Sequence, residues 1–155
     1  MEEIIHSNAR VADLVGLLSV LVNTFKGRTD LYELEKETEV DLDDLMPIVY
    51  TANYLGFVTI GEGDIVISDK GQEFLKASMK RRKEMIRSSV VRVEPFRTAT
   101  QLKRFTIQVL LDTLISKGIQ FYNSPSGSYE LEITLIEWGV YSGLLKKDGE
   151  YYVVV

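Results

Sequence analysis

The 155-residue chain contains no cysteine, one histidine and one tryptophan. Without cysteine there are no disulfides, no thiolate catalysis and no cysteine-ligated zinc, and the composition accords with a reducing cytoplasm. A single histidine cannot assemble a zinc site or a histidine-based dyad. His6 also lies so near the start of the chain that a frayed, incidental residue is expected. Long apolar runs are missing too. The longest, Leu14 to Val22, spans nine residues and is interrupted by a glycine and a serine, whereas a membrane-spanning helix needs about twenty. The opening Met1-Glu2-Glu3 has none of the basic residues that begin a secretory signal. A cytoplasmic protein without membrane insertion is expected.

The motifs of common chemistries are absent as well. No G-x-x-x-x-G-K-[ST] loop occurs, so no ATPase is present in this sequence. Asp41, Asp43 and Asp44 lack the spacing of a calcium loop and read as helix-capping acids. In Gly61-Glu62-Gly63-Asp64 the acid between the glycines would repel a phosphate, which makes the segment a hairpin turn. No Ser/His/Asp set, paired carboxylates or lysine nucleophile stands out. The expectation is a non-enzyme with no catalytic, cofactor-binding or metal-ligating residue.

What is present is a helical pattern. Leu14, Leu17, Leu18, Leu21 and Phe25 recur at helical spacing and predict a first helix over about Asn8 to Lys26, stopped by Gly27. Asp30 caps a short second helix, with Glu33 as its capping-box partner. Asp41 opens a third helix with Asp44 near its start. Leu42, Leu45, Ile48, Val49, Ala52 and Leu55 form its apolar face, and Pro47 predicts an irregular first turn. Gly56 ends that helix. Phe57 to Ile60 and Ile65 to Ile67 then form a hairpin around the glycine turn. Ser68 or Asp69 caps a fourth helix reaching about Arg92, where Glu94-Pro95 breaks it.

Over Val11 to Ala77 this order is that of a winged helix-turn-helix. The fold class expected is mainly α with small β-hairpins, and the first winged-helix domain is placed at residues 1–94.

Residues 95–155 are expected to form a second, degenerate winged helix in tandem with the first. Phe105, Ile107, Val109, Leu110, Leu111, Leu114 and Ile115 predict a helix ending at Gly118. Residues 129–135 alternate like a strand, yet a longer helical pattern runs past Trp138 to Leu144, and helix is preferred. Asp148-Gly149 marks a tight turn between Leu144-Leu145 and Tyr151 to Val155. No repeat of 20–50 residues is visible in the sequence.

Charge is unevenly spread. Residues 1–78 hold 6 Lys/Arg against 15 Asp/Glu, residues 79–104 hold 9 against 2, and residues 105–155 hold 3 against 6. The basic block is led by Lys80, Arg81, Arg82, Lys83 and Arg87, the candidate contacts for an acidic partner or a nucleic acid. A DNA-reading winged helix presents Lys, Arg, Asn or Gln from its third helix and basic residues from its wing. Here the third helix offers Tyr50, Thr51, Asn53 and Tyr54 beside Asp43 and Asp44, the wing tip is Glu62 and Asp64, and neither element holds a Lys or Arg. Phosphate neutralisation supplies most non-specific affinity, so this face should repel DNA. Aromatic residues beside acids suit a protein interface. Tyr50, Thr51, Asn53, Tyr54 and, in the second half, Tyr141 are the candidate partner contacts. Trp138, on an apolar helical face, is expected in the core.

Several segments together resemble one family: GLLSVLVNTFKGRTDLYELEKETEVDLDDLMPIVYTANYLGFVTIGEGDIVISDKGQEFLKA, the following RRKEMIR, and IEWGVYSGLL late in the chain. The chain is similar to the AAA-associated C-terminal domain. That domain is appended to ATP-binding subunits of nitrate/sulfonate/taurine-type ABC transporters and also occurs as a free-standing small protein in archaea. The family tends to carry an arginine after the Trp-Gly pair, where this chain has Val140. The resemblance implies a non-enzymatic accessory or regulatory domain and carries over no catalytic residue. The expected partner is a protein, an ABC-type ATPase or a second copy of the chain. The alternative is a winged-helix transcriptional regulator that binds DNA, and a small-ligand sensor built on the aromatic second half ranks after both.

Overall fold

The computed structural model describes residues 3–155, which divide into two compact units, residues 8–82 and residues 3–7 with 83–155. The sequence places a boundary near residue 94, but the division falls earlier, between Arg82 and Lys83. Residues 94 and 3–5 are tied together: Ile5 donates its backbone N–H to the Glu94 carbonyl at 2.8 Å, and Glu94 donates to the Glu3 carbonyl at 2.9 Å.

The first unit contains α1 (Val11–Asn23), β1 (Arg28–Asp30), α2 (Leu31–Thr38), α3 (Leu42–Tyr54), β2 (Val58–Gly61), β3 (Asp64–Ile67) and α4 (Asp69–Lys76). The apolar stripe of α1 does what its spacing predicts: Leu14, Leu18 and Leu21 are fully buried, and α1 packs on α3 and α4. Removing a leucine or phenylalanine side chain from water contributes about 1.5–3 kcal/mol. Phe57 and Phe74 close the core with ring centroids 5.0 Å apart. Asp30 caps α2 by accepting the Glu33 N–H at 2.7 Å, and Ser68 caps α4 by accepting the Gly71 N–H at 3.0 Å. A methyl at Gly71 would stand 2.3 Å from the Phe57 carbonyl oxygen, so α4 can lie this close to the chain before β2 only with glycine there.

Four features of this half depart from the sequence expectation. Asp41 makes no side-chain cap bond; instead Glu35 of α2 reaches over and accepts the Leu42 N–H at 2.5 Å. Pro47 lies inside α3, which accommodates it without ending. The strand β1 forms and pairs antiparallel with β3, giving a three-stranded sheet of order β1-β3-β2. The expected fourth helix is two helices, α4 and α5 (Met79–Val90). Ala77 is extended between them, and Ser78 starts α5 by accepting the Arg81 N–H at 3.1 Å.

After α5 the chain continues with α6 (Phe96–Leu102), β4 (Arg104–Thr106), α7 (Ile107–Ser116), α8 (Gly127–Thr134), a π-helical turn over Leu135–Val140, β5 (Leu145–Asp148) and β6 (Tyr151–Val154). Residues 129–135 are therefore helical, while Phe105, placed by sequence in a helix, lies in β4. The second sheet has the order β4-β6-β5, and each unit thus repeats helix, strand, helix, helix and hairpin with its first strand beside its last. Details repeat as well. Asp30 and Thr106 each end the first strand and cap the next helix. Arg28 pairs with Asp64 at 2.7 Å, and Arg104 with Asp148 at 3.0 Å. The segment Tyr54-Leu55-Gly56-Phe57-Val58 corresponds to Tyr141-Ser142-Gly143-Leu144-Leu145, with Gly56 and Gly143 both left-handed, at φ 84° and 82°.

Trp138 and Tyr122 are fully buried in the second unit. Tyr122 donates its phenolic proton to the Ile5 carbonyl at 2.6 Å and lies 2.8 Å from the Thr134 hydroxyl. Burial pushes this phenol well above its ordinary range. His6 is not frayed. Its ring packs 4.5 Å from that of Phe121, and burial lowers its pKa below the usual 6.5.

Candidate functional site

The surface of interest is the outer face of α2 and α3. The Asp30 cap fixes the start of α2, and the Glu35 bond to the backbone of Leu42 fixes how α3 follows it. This rigid pair presents Tyr50 and Tyr54 one helical turn apart. Their rings stack with centroids 6.2 Å apart and planes at 12°. Tyr50 is 42% exposed, and Tyr54 and Asn53 are half-buried. Stacking of this kind pre-orders two large amphipathic side chains, which lowers the entropy lost when a partner covers them.

Thr51 does not belong to this face. It is fully buried, and its hydroxyl has no hydrogen-bond partner among the described residues. The reason is legible in its spacing: Thr51 lies three residues after Ile48 and four before Leu55, on the same stripe as both. Tyr32, which the sequence reading passed over, is 69% exposed on α2. Its position beside the buried stripe residue Leu34, in an otherwise charged helix, was the available signal.

The electrostatics of the face are acidic. Asp43 and Asp44 are exposed at the start of α3, and Glu62 is exposed at the hairpin tip. Arg28 of β1, beside the hairpin, is paired with Asp64 at 2.7 Å, and Lys70 of α4 donates to the Leu55 carbonyl at the end of α3, also at 2.7 Å.

The basic residues are distributed over different tasks. Arg82 donates to the carbonyls of Phe74 and Leu75 at 2.9 and 2.8 Å and covers the Phe74 ring at 5.3 Å. It is a built-in C-terminal cap of α4. Arg81 pairs with Glu73 at 3.2 Å, an exposed contact of about 0–1 kcal/mol. Lys83 stands 4.9 Å over the ring of Tyr141, so two residues from separate candidate groups meet. Lys80 and Arg87 are exposed on α5. Tyr141 occupies in its unit the place of Tyr54 in the other.

Among the described residues no cluster of His, Asp and Glu is disposed to hold a metal ion, and no helix is long and apolar enough to cross a membrane. The phenol of Tyr152 in β6 is pushed well above its usual range by burial and by the Glu132 carboxylate, which accepts its proton at 2.7 Å. The same Glu132 pairs with Lys147 at 3.5 Å, which makes the cluster a structural tie.

The family model of the C-terminal AAA-associated domain matches residues 32–148. The chain belongs to that family. The AAA-associated match opens in α2 and closes at the end of β5, so it takes in α3, the first hairpin, the basic stretch of α5 and the Trp138 region, but not α1. The family is an accessory domain associated with ABC-type ATPases. No curated protein matches the chain, and no solved structure does.

Proposed function

We propose that this AAA-associated chain is a non-catalytic, cytoplasmic interaction module that binds a protein partner through the outer face of α2 and α3. The partner is an ABC-type ATPase subunit or a second copy of the chain. Both units are read as winged helices, a reading supported by the repeated order of helix, strand, helix, helix and hairpin and by the matching sheet orders.

The observation that carries the proposal is the stacked Tyr50–Tyr54 pair, set among exposed acids on a helix that holds no Lys or Arg. A nucleic acid would meet repulsion on that face, since counterion release requires cations there. A protein surface gains from it, because desolvated tyrosines are frequent binding anchors.

The test is co-sedimentation of the full chain with ABC-type ATPase subunits, and sedimentation equilibrium of the chain alone. Tyr50→Ala/Tyr54→Ala should weaken the association by about 30-fold or more, the loss of one anchor pair of ~2 kcal/mol. Unchanged binding by the double variant would reject the α3 face. Binding of mixed-sequence DNA that falls steeply with salt and depends on Lys80 and Arg87 would favour a DNA-binding regulator instead.

A further inference from the structure

A groove with a cavity volume of about 520 Å³ opens in the first unit between α1, the end of β3 and α4. It falls in the ~300–1,000 Å³ range of small-ligand pockets. Three cations line it, Lys26, Lys76 and Arg82, and among the described residues no carboxylate does. Lys26 and Lys76 are unexpected by position, because residues 1–78 carry only 6 Lys/Arg against 15 Asp/Glu, while Arg82 belongs to the basic stretch that follows.

Two of the adjoining helix ends, those of α1 and α4, are C-terminal and carry roughly half a negative charge each. Cations at such ends neutralise the helix dipoles. Several of the carbonyls at those ends already have partners. Val20 and Leu21 accept the N–H groups of Thr24 and Gly27, while Phe74 and Leu75 accept from Arg82. Lys26 and Lys76 form no ion pair among the described residues, so three full positive charges outweigh about one negative charge of helix ends. Arg82 is also held rigid by its two carbonyl bonds, which pre-orients the remainder of its guanidinium.

The lining also includes the apolar side chains of Val22, Ile67 and Leu75, beside the polar Ser19, Asn23 and Gln72, and Val22 is 37% exposed. Among the described residues no aromatic side chain lines the groove, so none there stacks on a nucleobase.

We infer that this groove binds an organic phosphate with a short aliphatic body, its dianionic head between Lys26, Lys76 and Arg82 and its chain against Val22 and Leu75. A ligand of that kind makes the first unit a small-molecule receiver separate from the α3 face.

The test is an amide NMR titration of the full chain at low ionic strength with methyl phosphate, butyl phosphate and acetate. Saturable shifts are expected at Gly27, Gln72 and Lys76, with butyl phosphate several-fold tighter than methyl phosphate and acetate weaker than both. Lys26→Gln/Lys76→Gln should weaken binding about tenfold or more, while Lys36→Gln/Lys146→Gln, which removes two exposed charges elsewhere, leaves it unchanged. Vesicles containing phosphatidate form a second arm: co-sedimentation lost in the groove variant assigns the phosphate to a lipid headgroup, and no co-sedimentation assigns it to a soluble ligand. Shifts that never saturate, that survive in the groove variant, or that are as strong with acetate would overturn the proposal. Equal affinity for the two phosphates would overturn its aliphatic part.

Discussion

Replacing Tyr122 by phenylalanine removes a single oxygen atom from the centre of the second unit. That oxygen donates to the Ile5 carbonyl at 2.6 Å and lies 2.8 Å from the Thr134 hydroxyl. Thr134 has a second partner, the Glu130 carbonyl at 3.2 Å, and can turn to it. Ile5 is fully buried, and its carbonyl would lose a partner that, with the two backbone bonds to Glu94, anchors residues 3–7 to this unit. Leaving that buried carbonyl without its hydrogen-bond partner costs about 1–3 kcal/mol.

Urea denaturation followed by the fluorescence of Trp138, the only tryptophan and a buried residue of the same unit, reads the loss directly. The midpoint should fall while the slope holds, since little new surface is exposed. The same variant has a pH signature. The folded phenol sits above its ordinary 10.0 because burial disfavours the phenolate, so its stabilisation is present below pH 10 and is lost as pH rises further. Tyr122→Phe should show a shallower alkaline decline than the parent, the remainder coming from Tyr152. A loss below about 0.5 kcal/mol would show that Tyr122 merely fills space, and would refute the reasoning.

His6 has its pKa lowered by burial, so the unfolded chain binds more protons below pH 6.5, and stability should decline as pH falls through that range. His6→Phe should flatten that decline, measured by thermal unfolding across the range. Arg82→Ala should cost about 1.5–3 kcal/mol by stripping the α4 carbonyls of a charged cap, while Arg81→Ala, which loses only an exposed ion pair, should cost under about 1 kcal/mol; paired urea titrations compare them. Gly71→Ala should destabilise the first unit by about 1–3 kcal/mol, because its methyl meets the Phe57 carbonyl at 2.3 Å, and a wild-type unfolding curve would disprove the close approach of α4.

The parts of the fold visible in the sequence are those with local signals. The α1 stripe, the Asp30 and Ser68 caps, and the glycine ends of α3 and the hairpin each act over four residues or fewer. The strands β1 and β4 carry no such signal. Each has three residues without alternation, and each exists only because a distant hairpin strand pairs with it. The segment of α6 is rich in threonine and lacks a strong apolar period, which hid it. Ser78 was a readable cap, and reading it would have divided the fourth helix. At the site, Tyr50 and Tyr54 followed from helical spacing. Thr51 is polar by type but lies on the Ile48 and Leu55 stripe, which buries it. The roles of the basic residues were not readable at all, since nothing local distinguishes the cap Arg82 from the exposed Lys80.

The most direct test of protein docking through α3 is amide hydrogen exchange of the full chain, alone at rising concentration, with an ABC-type ATPase subunit, and with mixed-sequence DNA. Protection confined to α2 and α3 around Tyr32, Tyr50 and Tyr54, induced by the ATPase or by the chain itself and not by DNA, is the predicted result. Protection of α3 and the first hairpin by DNA, lost steeply with salt, would contradict it.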